Sequence, residues 1–78
     1  MKEGKQWLIV TFATTTQALA LETAASEDGI PGRIIPLPQQ ISAGCGLAWK
    51  CETAVKDALV GWLTGRGLRW ESMYELLL

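Results

Sequence analysis

The stretch SAGCG, Ser42 to Gly46, sets Cys45 between two glycines, in a chain of 78 residues that has two cysteines and no histidine. A cysteine does its chemistry as the thiolate, so a reactive one must be reachable and set beside groups that favour negative charge. Gly44 and Gly46 allow a sharply turned backbone whose amides converge on the sulfur, and they leave that sulfur sterically open. The same residues also fit a tight turn in which Cys45 is a small apolar side chain. Cys51 lies further along a stretch that reads as extended. At about 3.3 Å per residue it sits on the order of 13 Å from the start of that strand, too far for a disulfide unless the loop folds back. Two cysteines without histidine cannot fill a four-ligand zinc site, so neither a metal nor a cofactor is expected. General acid-base catalysis needs a histidine or convergent carboxylates, and the acidic residues read as solvated faces. An ordinary enzyme is therefore not expected.

The elements that would position Cys45 can be read along the chain. Gln6 to Phe12 (QWLIVTF) is β-branched, aromatic and apolar on both parities, which predicts a central strand buried on both faces. Thr14 followed by Gln17 matches a capping box, and Gly29 then Pro31 mark a stop, so a helix is expected over Thr15 to Asp28 with Ala18, Leu21, Ala24 and Ala25 inward. Gly32 to Leu37 reads as a second strand. Pro36 and Pro38 cannot donate to a ladder and have the same parity, which assigns this strand to an edge. Leu47 to Glu52 (LAWKCE) alternates, with Leu47, Trp49 and Cys51 inward and Ala48, Lys50 and Glu52 outward. Lys50 is thereby a candidate source of positive potential for Cys45.

Thr53 is a candidate cap for a second helix, in which Val55, Ala58, Leu59, Trp62 and Leu63 keep helical spacing. Gly61, costly by about 1 kcal/mol in a helix, suggests a close approach there. Leu68 to Tyr74 alternates as a fourth strand with Leu68 and Trp70 inward. The order βαββαβ with right-handed crossovers predicts an α+β, ferredoxin-like split βαββαβ fold. Its four-stranded antiparallel sheet carries two helices on one face, and strands 1 and 3 are central. One domain spans residues 1–78. So short a chain buries only roughly 60% of its unfolded surface, so its core must be well used or aided by oligomerisation. Apolar residues on both parities of strand 1 fit either a second face covered in a homodimer or ordinary scatter of surface apolar residues.

A formal charge of -1 without a basic cluster lacks the electrostatic footprint of a nucleic-acid or anionic-membrane binder. The amino-terminal apolar run is short and has no small-residue cleavage site, and no stretch approaches a bilayer span, so cytoplasmic residence is expected. Other ferredoxin-like roles fit poorly. Copper chaperones place soft ligands in the first strand-to-helix loop, which here, from Ala13 to Thr16, has no sulfur. RNA binders need exposed aromatics on the central strands, where strand 3 offers Ala48 and Lys50.

With the elements in place, the ending VTF of strand 1, the segment IIPLPQQISAGCGLAWK from Ile34 to Lys50, and MYE from Met73 to Glu75 resemble the selenium/sulfur (Se/S) carrier protein-like family. PLP followed by ISAGCGLA is the specific part. The resemblance implies a ferredoxin-like fold and a cysteine, here Cys45, that holds sulfur or selenium as a persulfide or perselenide. Its partners would be a donor protein and an acceptor protein, with Gly44, Gly46 and Lys50 shaping the site. Gln39 and Gln40 stand where the family commonly has an arginine and a glutamate, which removes a nearby cation. The alternative is a non-catalytic interaction or regulatory module that uses the open sheet face.

Overall fold

The computed structural model describes residues 4–42 and 44–78. Its elements are β1 (Gln6–Thr11), α1 (Thr15–Asp28), β2 (Arg33–Pro36), β3 (Leu47–Glu52), a 3-10 turn (Thr53–Val55), α2 (Lys56–Gly65) and β4 (Ser72–Leu77). The sheet runs β2-β3-β1-β4 with every neighbour antiparallel. That is the ferredoxin-like α+β arrangement, with β1 and β3 central and the proline-bearing β2 at an edge.

Local chemistry explains the first half closely. The Thr14 hydroxyl accepts from Gln17 N–H at 3.2 Å, and the Gln17 side-chain oxygen reaches back to Ala13 N–H at 3.0 Å, so donors left free at the helix start are satisfied. Gly29 ends α1 in the left-handed conformation at φ 68°, which costs glycine little. Ala18, Leu21, Ala24 and Ala25 are the buried residues of α1. β3 has the expected bounds.

Both helices lie on one face. There, Leu8, Val10, Trp49 and Cys51 of the sheet meet Leu21 and Ala25 of α1 and Leu59 and Leu63 of α2 in one buried cluster. Each large side chain fully buried in it contributes about 1.5–3 kcal/mol. The second face has a smaller core of Ile9, Ala48 and Ile41, with Trp7, Ile35, Leu37 and Leu76 packed around it. The cover over Ile9 and Ala48 thus comes from Ile41 of the chain's own loop, which accounts for part of the apolar double parity of β1.

The second half departs from expectation in three places. Thr53 does not cap α2: it opens the 3-10 turn, and α2 begins at Lys56 behind Val55, with no side-chain cap bond at either start. The chain turns directly out of β3, so the helix start has no extended residue in front of it. β4 starts later than the alternation suggests. Leu68 and Trp70 pack on the helix-side core from the connection, and pairing with β1 begins only at Ser72. Core contact imposed the period-two pattern on a segment that is not strand. Gly61 faces open space, so no close approach explains it. Ala58 is exposed, and Val55 and Trp62 are only half-buried.

Candidate functional site

The loop between β2 and β3 is tied at three points. Leu37 N–H donates to Gly46 O at 2.9 Å and closes its base, and Ile41 N–H donates to Pro38 O at 3.0 Å inside it. Ile41 is 7% exposed against Ile9 and Ala48, so the loop is pinned to the second face of the sheet. Beyond Ile41 it passes Ser42 and Ala43, of which Ala43 lies outside the described residues. The chain then crosses the end of the sheet to the helix side, where Cys45 packs half-buried against the main core.

The two glycines have different causes. Gly46 has φ 76°, a left-handed conformation that strains side chains with a Cβ, and from it the chain turns into β3. A Cβ on Gly44 would lie 2.8 Å from the Ala13 carbonyl oxygen, so Gly44 is required by a backbone-to-backbone approach. Ala13 stands between β1 and the capped start of α1. Cys45 is therefore held where β1 ends, α1 begins and β3 begins.

The Cys45 thiol lies 3.7 Å from Leu47 O, to which it donates. This contact is with an acceptor and not with converging amides, so the structure presents the sulfur beside a carbonyl. Lys50 is not part of the site. Its alternation in β3 carries it to the second face, where its ammonium sits 4.2 Å from the centre of the Trp7 ring, while Cys45 packs on the helix face. Lys5 stands over the same ring at 4.7 Å and pairs with Glu52 at 2.7 Å. Of the candidate residues, the structure brings Gly44, Cys45 and Gly46 together and leaves Lys50 across the sheet.

Cys51 is 3% exposed. Burial first, and the neighbouring Glu52 charge second, push its thiol up to about 11, against a smaller opposing pull from Trp49. Among the described residues, the buried Trp49 indole N–H has no hydrogen-bond partner. Gly32 makes room for that indole: a Cβ there would lie 2.6 Å from the ring. Both cysteines are free thiols. Among the described residues, no group of three or more His, Cys, Asp or Glu could hold a metal ion, and no helix is long and apolar enough to cross a membrane.

The positions that fix the loop, Ile41 and Ala13, were not singled out by sequence reasoning. A lone isoleucine in an otherwise polar and small-residue stretch, PQQISAGCG, was the available signal for the first. The second has none, because the contact is between backbones. The model of the family described as "Putative Se/S carrier protein-like" matches residues 7–75. The chain belongs to this family. The match takes in all of the secondary structure but Gln6 and the last residues of β4, together with the whole Cys45 loop. Among the curated proteins and the solved structures, none matches this Se/S carrier-like chain.

Proposed function

We propose that this domain is a sulfur or selenium carrier that holds its cargo on Cys45. In the loading step the Cys45 thiolate attacks the terminal sulfur or selenium of a donor protein's persulfide or perselenide. A bond forms from Cys45 Sγ to that atom, the donor's own bond to it breaks, and the electron pair leaves on the donor cysteine as a thiolate. An acceptor nucleophile takes the terminal atom by the same displacement, returning Cys45 to the thiolate. No outside oxidant or reductant is consumed in either transfer. The domain is a carrier and not an enzyme, and free thiols suit a reducing compartment such as the cytoplasm.

The observation that carries this reading is the placement of Cys45 on a glycine-flanked loop whose shape is set by the backbone contact at Gly44 and the left-handed turn at Gly46. Such a loop keeps the sulfur half-exposed at the rim of the main core, with no side chain on either flanking residue. The test is to treat the native protein with a polysulfide and map the products by peptide mass. The Cys45 peptide gains one sulfur atom that a dithiol reductant removes, and Cys45→Ser gains none while keeping its near-ultraviolet circular dichroism. Loading on Cys51 alone would overturn the assignment. A second reading, an interaction module on the open sheet face, is favoured by Trp7 held between Lys5 and Lys50; under it, Cys45→Ser leaves partner binding intact.

A further inference from the structure

β4 forms a free edge of the sheet. Lys5 N–H donates to Leu78 O at 3.0 Å and Leu78 N–H donates to Lys5 O at 2.9 Å, so these two residues are a hydrogen-bonded pair. Antiparallel ladders alternate bonded and non-bonded pairs, and stepping by two along the register makes Trp7 with Leu76, and Ile9 with Tyr74, the next bonded pairs. Met73, Glu75 and Leu77 therefore turn their N–H and C=O groups away from β1, toward the side where β4 has no neighbouring strand among the described residues. The strand, SMYELL, contains no proline or lysine, residues that commonly blunt a free edge. Tyr74, Leu77 and Leu78, exposed by 39%, 60% and 40%, gather three of the exposed large apolar side chains at this one edge.

Of the antiparallel registers centred on Tyr74, Glu75 and Leu76, the last suits a second β4 best. Placing Leu76 opposite its own counterpart sets Glu75 opposite Leu77 and Tyr74 opposite Leu78. The outward groups of Glu75 and Leu77 then bond each other on both sides of the two-fold axis. Tyr74, Leu76 and Leu78 of the two copies meet as one apolar row. The register centred on Glu75 puts two carboxylates directly opposite, which is destabilising. The register centred on Tyr74 sets Leu76 against Ser72 and leaves Leu78 unpaired.

We propose that the chain dimerises by pairing β4 with β4 about Leu76, joining two sheets into one of eight strands. The proposal does not depend on the role of Cys45. Sedimentation equilibrium of the full chain across a concentration series tests it, and a reversible monomer-dimer equilibrium is expected. Leu77→Pro removes only an outward N–H, hence half of the inter-strand bonds, and weakens association roughly 30-fold with the near-ultraviolet dichroism unchanged. Leu76→Lys sets two ammonium groups face to face at the axis and weakens association through the side chain instead. Glu75→Gln leaves association unchanged. A parent chain that stays monomeric at the highest concentration overturns the proposal, as do a Leu77→Pro and a Leu76→Lys that both associate like the parent. Tighter association of Glu75→Gln overturns the register.

Discussion

Cys45 and Cys51 sit in the same short stretch of sequence and have opposite environments. Cys45 lies on a loop that two glycines bend across the end of the sheet, half-buried and against a carbonyl. Cys51 lies in a central strand, 3% exposed, with its thiol pushed up to about 11. Burial and backbone shape, and not the residue type, set the half-buried sulfur apart from the buried one. Lys50 makes the same point from the other side: close to both in sequence, it is turned by strand alternation to the opposite face.

The largest effect expected from this contrast is in alkylation rate. At pH 7, a thiol held at about 11 is a thiolate in only about one molecule in ten thousand, and Cys51 is also occluded. Iodoacetamide labelling read by peptide mass should modify Cys45 in the native protein and Cys51 only after unfolding. Comparable native rates would break the comparison. Next in size is the dependence of stability on pH. The folded-state value of Cys51, about 11, is above its ordinary 9.0, so its contribution is fully present below pH 9 and is lost as pH rises through 11. Urea denaturation should show a loss of about 2–3 kcal/mol across that window, and Cys51→Ala should flatten it. An equally steep loss in Cys51→Ala would remove this cause.

Gly44→Ala should cost about 1–3 kcal/mol, because the added Cβ meets the Ala13 carbonyl and the loop has to move. Its Cys45 loading should fall with it. Gly46→Ala, with open space around it but φ at 76°, should cost about 1–2 kcal/mol. A Gly44→Ala protein as stable and as readily loaded as the parent would show that the approach to Ala13 does not shape the site. The smallest effect is that of Lys50→Ala. It should lose at most about 1 kcal/mol of cation–π attraction and alter Trp7 fluorescence, with the Cys45 alkylation rate unchanged. A slower Cys45 would place Lys50 in the site after all.

Much of the scaffold was legible because local signals and tertiary demands agree. The Thr14 and Gln17 cap, Gly29, and the alternation of Leu47 to Glu52 each correspond to a bond or a face in the fold. Pro36 in β2 and Pro38 just beyond it excluded a central position by removing donors. Legibility failed where core contact imitated a strand, at Leu68 and Trp70, and where a cap residue was absorbed into a 3-10 turn, at Thr53. For the site, the glycines around Cys45 were visible and their reasons were not. The Gly44 contact joins backbones separated by the whole of α1 and β2, and no residue type at Ala13 signals it.

The sequence by itself determined the element order, the sheet topology, the inner face of α1 and the burial of Cys51, because each follows from periodicity or from a residue that lacks a donor or a Cβ. The tertiary structure alone decided that Ile41 covers the second face, that Gly44 abuts Ala13, that Lys50 stands apart from Cys45, and that β4 keeps its outer backbone groups free among the described residues. Those are relations between residues far apart in the chain. They depend on where the closed sheet brings backbones together, which local propensity does not encode.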